Sequence, residues 1–297
     1  MDKKIVYKNP ITRGADPFIL LHNGVYYHYA SKDNGYTVRT STNLVDWEEK
    51  GLCLDKKDVK GEFDFWAPEI IYHNGKFYMA YTAERHLGIA VANSPLGPFK
   101  QEKKEFLFTD YAIDGHFFKD DDGVVYLYFV RQVDCNAVHV VKMKEDLISA
   151  YEETETFIST GDEGWERNDK TLDWYCNEGP FVLKHKGKYY LTYSANDYRD
   201  PMYGIGISVA DNPMGPFIKP INKPLFIGNK EVKGTGHHSF TTTPNGKKLI
   251  CVYHTHYSTT SVEPRMTNID EAEFYFNEEL GMDFLRIKGP TRIENEI

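Results

Sequence analysis

The stretch PFILLHNGVYYHYAS (17–31) sets two β-rich apolar runs on either side of Asn23-Gly24. Asn and Gly tolerate the positive φ that a type I′ turn needs at both central positions, so the stretch predicts a β-hairpin. The pattern recurs as PEIIYHNGKFYMAYT (68–82), GHFFKDDDGVVYLYF (115–129), PFVLKHKGKYYLTYS (180–194) and HSFTTTPNGKKLICVYH (238–254). The turn glycines, Gly24, Gly75, Gly123, Gly187 and Gly246, lie 51, 48, 64 and 59 residues apart. A second pattern accompanies the first: GIAVANSPLGPFK (88–100) resembles GIGISVADNPMGPFIKP (204–220), and YTVRTSTNLVDWEEKG (36–51) holds the same place in the first unit. Each reads as a further strand, a Pro/Gly turn and a last short strand. About four strands per unit, repeated five times, predicts an all-β, five-bladed β-propeller over residues 1–297. A two-sheet sandwich does not explain five hairpins at quasi-regular spacing. Helical periodicity is confined to a weak candidate at 149–157, and the segment 271–289 is expected to close the ring.

Composition narrows the function. Aromatic residues make up 14% of the chain, with 21 Tyr and 18 Phe, which favours β structure and suits a sugar-stacking surface. The net charge is −9, and Lys/Arg clusters are no longer than pairs such as Lys103-Lys104. Nucleic acid and anionic membranes are therefore not expected partners. Cys53, Cys135, Cys176 and Cys251 are scattered without a C-x-x-C pair, so neither a zinc site nor a disulfide framework is indicated. MDKKIVYKNP (1–10) has no apolar signal core and no run reaches membrane-spanning length, which makes a cytoplasmic protein the expectation.

The first strand of a propeller blade lines the central channel, so the residues just before it ring one mouth. Eight or nine residues ahead of the turn glycines stand Asp16, Trp66, Asp114, Glu178 and His237. A preference for polar turn residues accounts for an Asp there, but not for Glu178 or Trp66. Three carboxylates around one axis cannot all ionise freely; one pKa rises and another falls. That supplies one general acid and one general base, as glycoside hydrolysis requires.

The motifs ADP (15–17), WAPE (66–69), IDGHFF (113–118), NEGPF (177–181) and GTGHHS (234–239), in this order and one per blade, together resemble glycoside hydrolase family 43. The resemblance implies an inverting exo- or endo-glycosidase acting on arabinose- and xylose-containing glycans. It implies Asp16 as the base that activates water, Glu178 as the acid that protonates the leaving oxygen, and Asp114 as the residue that tunes and orients Glu178. Trp66 and Ala67 would lie against the substrate, and Arg265 in VEPRMTNID (262–270) would contact the terminal sugar. His237 matches a histidine that faces a calcium, another ion or a water on the axis. One imidazole is a poor sole ligand for a hard cation, so water would complete the shell. No organic cofactor is implied.

The leading expectation is an exo-acting α-L-arabinofuranosidase on arabino- or arabinoxylo-oligosaccharides, with β-xylosidase next and endo-arabinanase third. A non-catalytic sugar-binding propeller would lack the complete acid–base pair. A phosphorylase would need several cations at the mouth to hold phosphate, and the mouth residues read as acidic. His116 and His185 read as surface or strand histidines. Of His254 and His256, which alternate in YHTHYS (253–258), only one can face the channel. DDDG (120–123) reads as a turn and RDP (199–201) as a loop at the pocket rim.

Overall fold

The repeated stretches fold as hairpins. In the first, second and fourth, the residue pairs His22–Val25, His73–Lys76 and His185–Lys188 close two-residue turns. Asn23-Gly24, Asn74-Gly75 and Lys186-Gly187 all have positive φ there, as a type I′ turn demands. The third and fifth hairpins have longer turns, closed by Gly123 N–H to Asp120 O and Gly246 N–H to Thr243 O. The computed structural model describes residues 4–161, 164–167 and 174–297.

Each hairpin begins an antiparallel sheet. The first blade is Phe18–His22, Val25–Tyr29, Tyr36–Ser41 and Glu48–Leu54. The second is Trp66–His73, Lys76–Ala83 and His86–Ala92, with a bridge from Val91 to Lys100 in place of a full fourth strand. The third is Ala112–Lys119, Val125–Val133, Cys135–Met143 and Ala150–Thr160. The fourth is Asn177–His185, Lys188–Ala195, Gly204–Ala210 and Phe226–Ile227. The fifth starts with Gly236–Thr242, Leu249–Thr255 and Met266–Asn277. First strands touch one another in ring order, fifth back to first, so they line the axis of a five-bladed propeller.

Two expectations are corrected. The weak helical candidate at 149–157 lies in the strand Ala150–Thr160, paired along Cys135–Met143, and the described residues contain no α-helix. Nor does 271–289 close the ring. The N-terminal strand Thr12–Arg13 does, by pairing with Met266 and Thr267 as the fourth strand of the fifth blade. Met282–Ile287 pairs instead with the outer half of Met266–Asn277, and Val6–Tyr7 pairs with Asn295–Glu296.

The tyrosines of the repeat pack the blades together. Tyr26, Tyr29, Tyr81, Tyr128, Tyr190 and Tyr253 are buried, and each hydroxyl finds an acceptor. Tyr29 donates to Pro95 O and Tyr128 to Pro213 O, the Pro/Gly turns of the second and fourth blades. The secondary sequence pattern therefore marks the points where one blade's tyrosine reaches into the next. Burying an aromatic ring while satisfying its hydroxyl stabilises an interface that leaves no unpaired carbonyl.

Candidate active site

At the entry to each first strand the backbone takes the same turn. Asp16, Ala67, Asp114, Gly179 and His237 all have φ between 43° and 56°. In blades two to five the pairing slips at this point, between Trp66 and Glu69, Ile113 and His116, Glu178 and Phe181, and Gly236 and Ser239. A bulge of this kind re-aims a side chain out of the sheet plane. It also shows that Trp66 and Glu178 stand one residue ahead of the position held by Asp16, Asp114 and His237. The five predicted residues nonetheless line one cavity of about 810 Å³ at the channel mouth.

The bulged N–H groups have side-chain acceptors on the preceding blade. Ala67 N–H donates to Ser31 Oγ (2.9 Å), Asp114 N–H to Thr82 Oγ1 (3.1 Å), His237 N–H to Ser194 Oγ (2.7 Å) and Asp16 N–H to His254 Nδ1 (3.2 Å). These acceptors sit at the end of each blade's second run, in YAS, YT, YS and YH. The third blade carries Val130 there, and Gly179 N–H turns to the Asp114 carboxylate instead, at 3.1 Å. The polar residue after a run-ending tyrosine was the sequence signal for this ring of supports, and reading the motifs at the strand entries alone missed it.

Electrostatics separates the carboxylates. Burial by itself raises the pKa of Asp16, but Arg265 and His237 outweigh it and hold the carboxyl well below the usual range. Arg265 donates from Nη1 to Asp16 Oδ1 at 2.8 Å, His237 Nδ1 lies 3.3 Å from the same oxygen, and Ser31 donates to Oδ2. His254 also lies 3.2 Å from Oδ1, yet its Nδ1 lone pair accepts the Asp16 N–H. That ring is neutral, pushed down to about 3 by burial and then by Arg265. Asp114 goes the other way, up to about 7, through burial and then the charges of Glu178 and Asp16, against the pull of His237. Glu178 is raised for the same first reason, burial, with Asp16 adding and His237 and the Tyr203 hydroxyl opposing. Tyr203 Oη donates to Glu178 Oε1 at 2.7 Å and Asn136 Nδ2 to Oε2 at 2.8 Å. Burial lowers His237, but Asp16, Asp114 and Glu178 reverse the sign and draw it toward imidazolium.

The cavity thus favours the ionised form of Asp16, shifts His237 toward imidazolium beside the Arg265 cation, and favours retaining a proton on the Asp114–Glu178 pair. Arg265 also spans Glu263 and lies over the Tyr198 ring, 4.5 Å from its centre, so it is built into the wall as well as facing the cavity. Ala67 does not line the main cavity; it faces the narrow axial space beneath, beside Gly115 and Gly179. His116 is a buried strand histidine paired with Glu69, and His185 stacks on Phe274. His254 reaches the site, whereas His256 is bonded to Tyr198 O.

The rim combines the turn at Arg85, the adjoining ends of the third blade's second and third strands, residues between the third and fourth blades, and the loop at 196–201; only RDP in that loop was placed there from the sequence. Arg85, Gln132, Asn136, Trp174 and the loop Asn196–Pro201 line the cavity, and so do Glu166 and Arg167. The mouth is therefore less acidic than the five entry residues suggested, because Arg85, Arg167, Arg199 and Arg265 face it too. Arg199 is paired with Asp197 and Arg265 with Asp16, which takes both out of service as a phosphate cradle. DDDG is a turn whose Asp120 holds Lys184 and Tyr189.

Protein ligands for a calcium are few in the described residues. Calcium takes six to eight oxygen ligands, and among the described residues no three His, Cys, Asp or Glu side chains converge to hold a metal. His237 directs Nδ1 at Asp16 Oδ1, which leaves Nε2 as its ring nitrogen for an axial ion, with water completing the shell.

Comparison with known proteins agrees with the geometry. The model of glycosyl hydrolases family 43 matches residues 7–278. The chain is 30% identical to the β-D-galactofuranosidase xynD of Aspergillus niger, over 91% of this chain and 82% of that protein. It is 29% identical to an extracellular exo-α-(1→5)-L-arabinofuranosidase of Streptomyces chartreusis (84% and 82% covered) and 27% identical to a β-xylosidase of Xylanibacter ruminicola (72% and 80%). Among solved structures, a thermostable family-43 glycoside hydrolase superposes with a TM-score of 0.86 at 41% identity, covering 97% of both chains. A protein described as an endo-1,4-β-xylanase from Bacteroides thetaiotaomicron gives 0.87 at 34%, covering 96% of this chain and 98% of that one. Propeller, carboxylate-lined cavity and a family match along most of its length place the chain in glycosyl hydrolases family 43.

Proposed function

We propose that the protein is an inverting, exo-acting α-L-arabinofuranosidase that trims arabino- or arabinoxylo-oligosaccharides. The observation that carries the chemistry is two carboxyls shifted in opposite directions in one cavity, Asp16 held well below the usual range by Arg265 and His237 and Glu178 raised by burial. Asp16 takes a proton from water as the water oxygen bonds the anomeric carbon. Glu178 gives its proton to the glycosidic oxygen as the carbon–oxygen bond breaks. The sugar leaves with inverted configuration, and solvent returns Asp16 and Glu178 to their starting states. Asp114 holds Gly179 N–H and stands close enough to Glu178 for the two carboxyls to titrate as a pair, which favours a proton between them. His237 balances the charge of the three carboxylates.

The sugar itself rests on Trp66 as stacking wall and on Arg265 at the base. The arabinofuranosidase relative supports a furanose, and the β-xylosidase relative supports β-xylosidase as the second reading. A panel of p-nitrophenyl α-L-arabinofuranoside, β-D-xyloside and β-D-galactofuranoside decides the sugar. Fastest release from the first, with an inverted first-formed anomer by proton NMR, is expected. Activity that survives both Asp16→Asn and Glu178→Ala would discard the acid–base assignment.

A further inference from the structure

We propose that Arg85 is a positioning residue that, acting through Gln132 and Asn136, fixes which oxygen of Glu178 carries the acid proton; this rests on reading Glu178 as the general acid. The guanidinium of Arg85 lies over the Tyr111 ring, 4.4 Å from its centre, and its Nε donates to Gln132 Oε1 at 2.9 Å. Gln132 Nε2 donates to Asn136 Oδ1 at 3.0 Å, and Asn136 Nδ2 donates to Glu178 Oε2 at 2.8 Å. The chain crosses from the second blade through the third to the fourth.

Its polarity is dictated at one end. Arginine has only donors, whereas each amide has an oxygen side and a nitrogen side that are interchangeable in shape. Arg85 therefore turns the oxygen of Gln132 toward itself, which leaves the NH₂ of Gln132 for Asn136. Asn136 must then offer its oxygen to Gln132 and its NH₂ to Glu178. An NH₂ facing Oε2 requires Oε2 to accept, so a proton on that oxygen would meet a second donor. The proton is confined to Oε1, whose neighbour Tyr203 Oη can donate to it or accept from it. The backbone that presents Arg85 is itself unusual. Glu84 and Arg85 both have positive φ, 53° and 63°, in a two-residue turn between Ala83 and His86 with no glycine. Such strain persists where the surroundings over-determine it, and here it places the donor that orders the chain.

The test is leaving-group dependence. Gln132→Glu keeps the shape but cannot donate to Asn136, and Arg85→Met removes the obligate donor. On an unactivated oligosaccharide, whose leaving oxygen needs the proton, both variants are expected to lose at least about tenfold in kcat, within the range that general acids supply. On the 2,4-dinitrophenyl glycoside of the same sugar, which leaves without help, they should stay within about twofold of the parent. Equal losses on both substrates in folded protein, or no loss on either, would overturn the proposal. Glu178→Ala, run beside them, separates the two levels. If it shows the same discrimination and the two variants do not, the relay alone fails. If it shows none, the acid assignment fails and the relay with it.

Discussion

Asp16 and Asp114 are the same residue type with the same positive-φ turn at the entries of the first and third blades, and the cavity shifts them in opposite directions. Asp16 has Arg265 and His237 against one oxygen; Asp114 has one backbone N–H and two carboxylates. This has a consequence for stability against pH. An unfolded Asp titrates near ~3.9, so a folded Asp114 held up to about 7 binds its proton more tightly than the unfolded chain does. Its contribution is present below the unfolded value and is lost as pH rises through about 7. Glu178 and His237, also raised, act in the same sense above their own unfolded values, while Asp16, depressed, contributes above its unfolded value and loses that as pH falls. Asp114→Asn keeps an oxygen for Gly179 N–H but removes the proton site. Its melting temperature should fall less between pH 4 and pH 7, roughly the interval between the unfolded and folded Asp values, than that of the parent. Parallel melting curves across that interval would show that Asp114 is not raised.

At the scale of the element, the question is what holds the five strand entries in place. Ser31, Thr82, Ser194 and His254 each accept a bulge N–H from the following blade. Thr82 is fully buried, so Thr82→Val, nearly the same shape, leaves the Asp114 N–H without an acceptor. A buried donor left unpaired costs about 1–3 kcal/mol, and a displaced Asp114 should lower kcat more than it raises KM. Chemical denaturation and steady-state kinetics on one preparation check both; unchanged stability would show that water serves the N–H equally well. The turn glycines made the hairpins legible, because a type I′ turn admits few residue types. The bulge position was not legible, because Asp, Ala, Asp, Gly and His share no chemistry, only a backbone conformation. Counting back from the glycines therefore set Trp66 and Glu178 level with Asp16, when the longer turns of the third and fifth hairpins shift the count by one. Glu178 and Trp66 were legible because their types are wrong for ordinary turns, and Asp16 and Asp114 because they fall at equivalent places in the same set. Arg85, Gln132 and Asn136 were not legible, since they stand in a turn and at strand ends outside the repeated motif and meet only in space.

At the scale of the whole molecule, a ring of blades needs a closure, and this one uses both ends of the chain. Thr12–Arg13 completes the fifth blade, Asn9 donates to Ile269 O and accepts from its N–H, and Tyr7 donates to Asp270. Asp270 is fully buried and also accepts from Tyr253 and from Thr291 near the other terminus. One carboxyl thus gathers the N-terminal segment, the fifth blade and the C-terminal segment. Its pKa is raised, by burial first, against the hydroxyls that donate to it. Because Asp16 follows the closing strand directly and Arg265 precedes its partner strand, the latch and the base are mechanically continuous. A chain beginning at Gly14 loses the closing strand, both Asn9 bonds and the Tyr7 hydroxyl while keeping every residue of the cavity. We expect it to melt at least about 5 °C lower, several interactions of about 1 kcal/mol each being lost. Activity should fall too, because Asp16 then sits at a free end. Differential scanning calorimetry gives the first reading and the glycoside assay the second. A truncated chain with the parent's melting temperature and turnover would mean that packing between the first and fifth blades closes the ring without the latch.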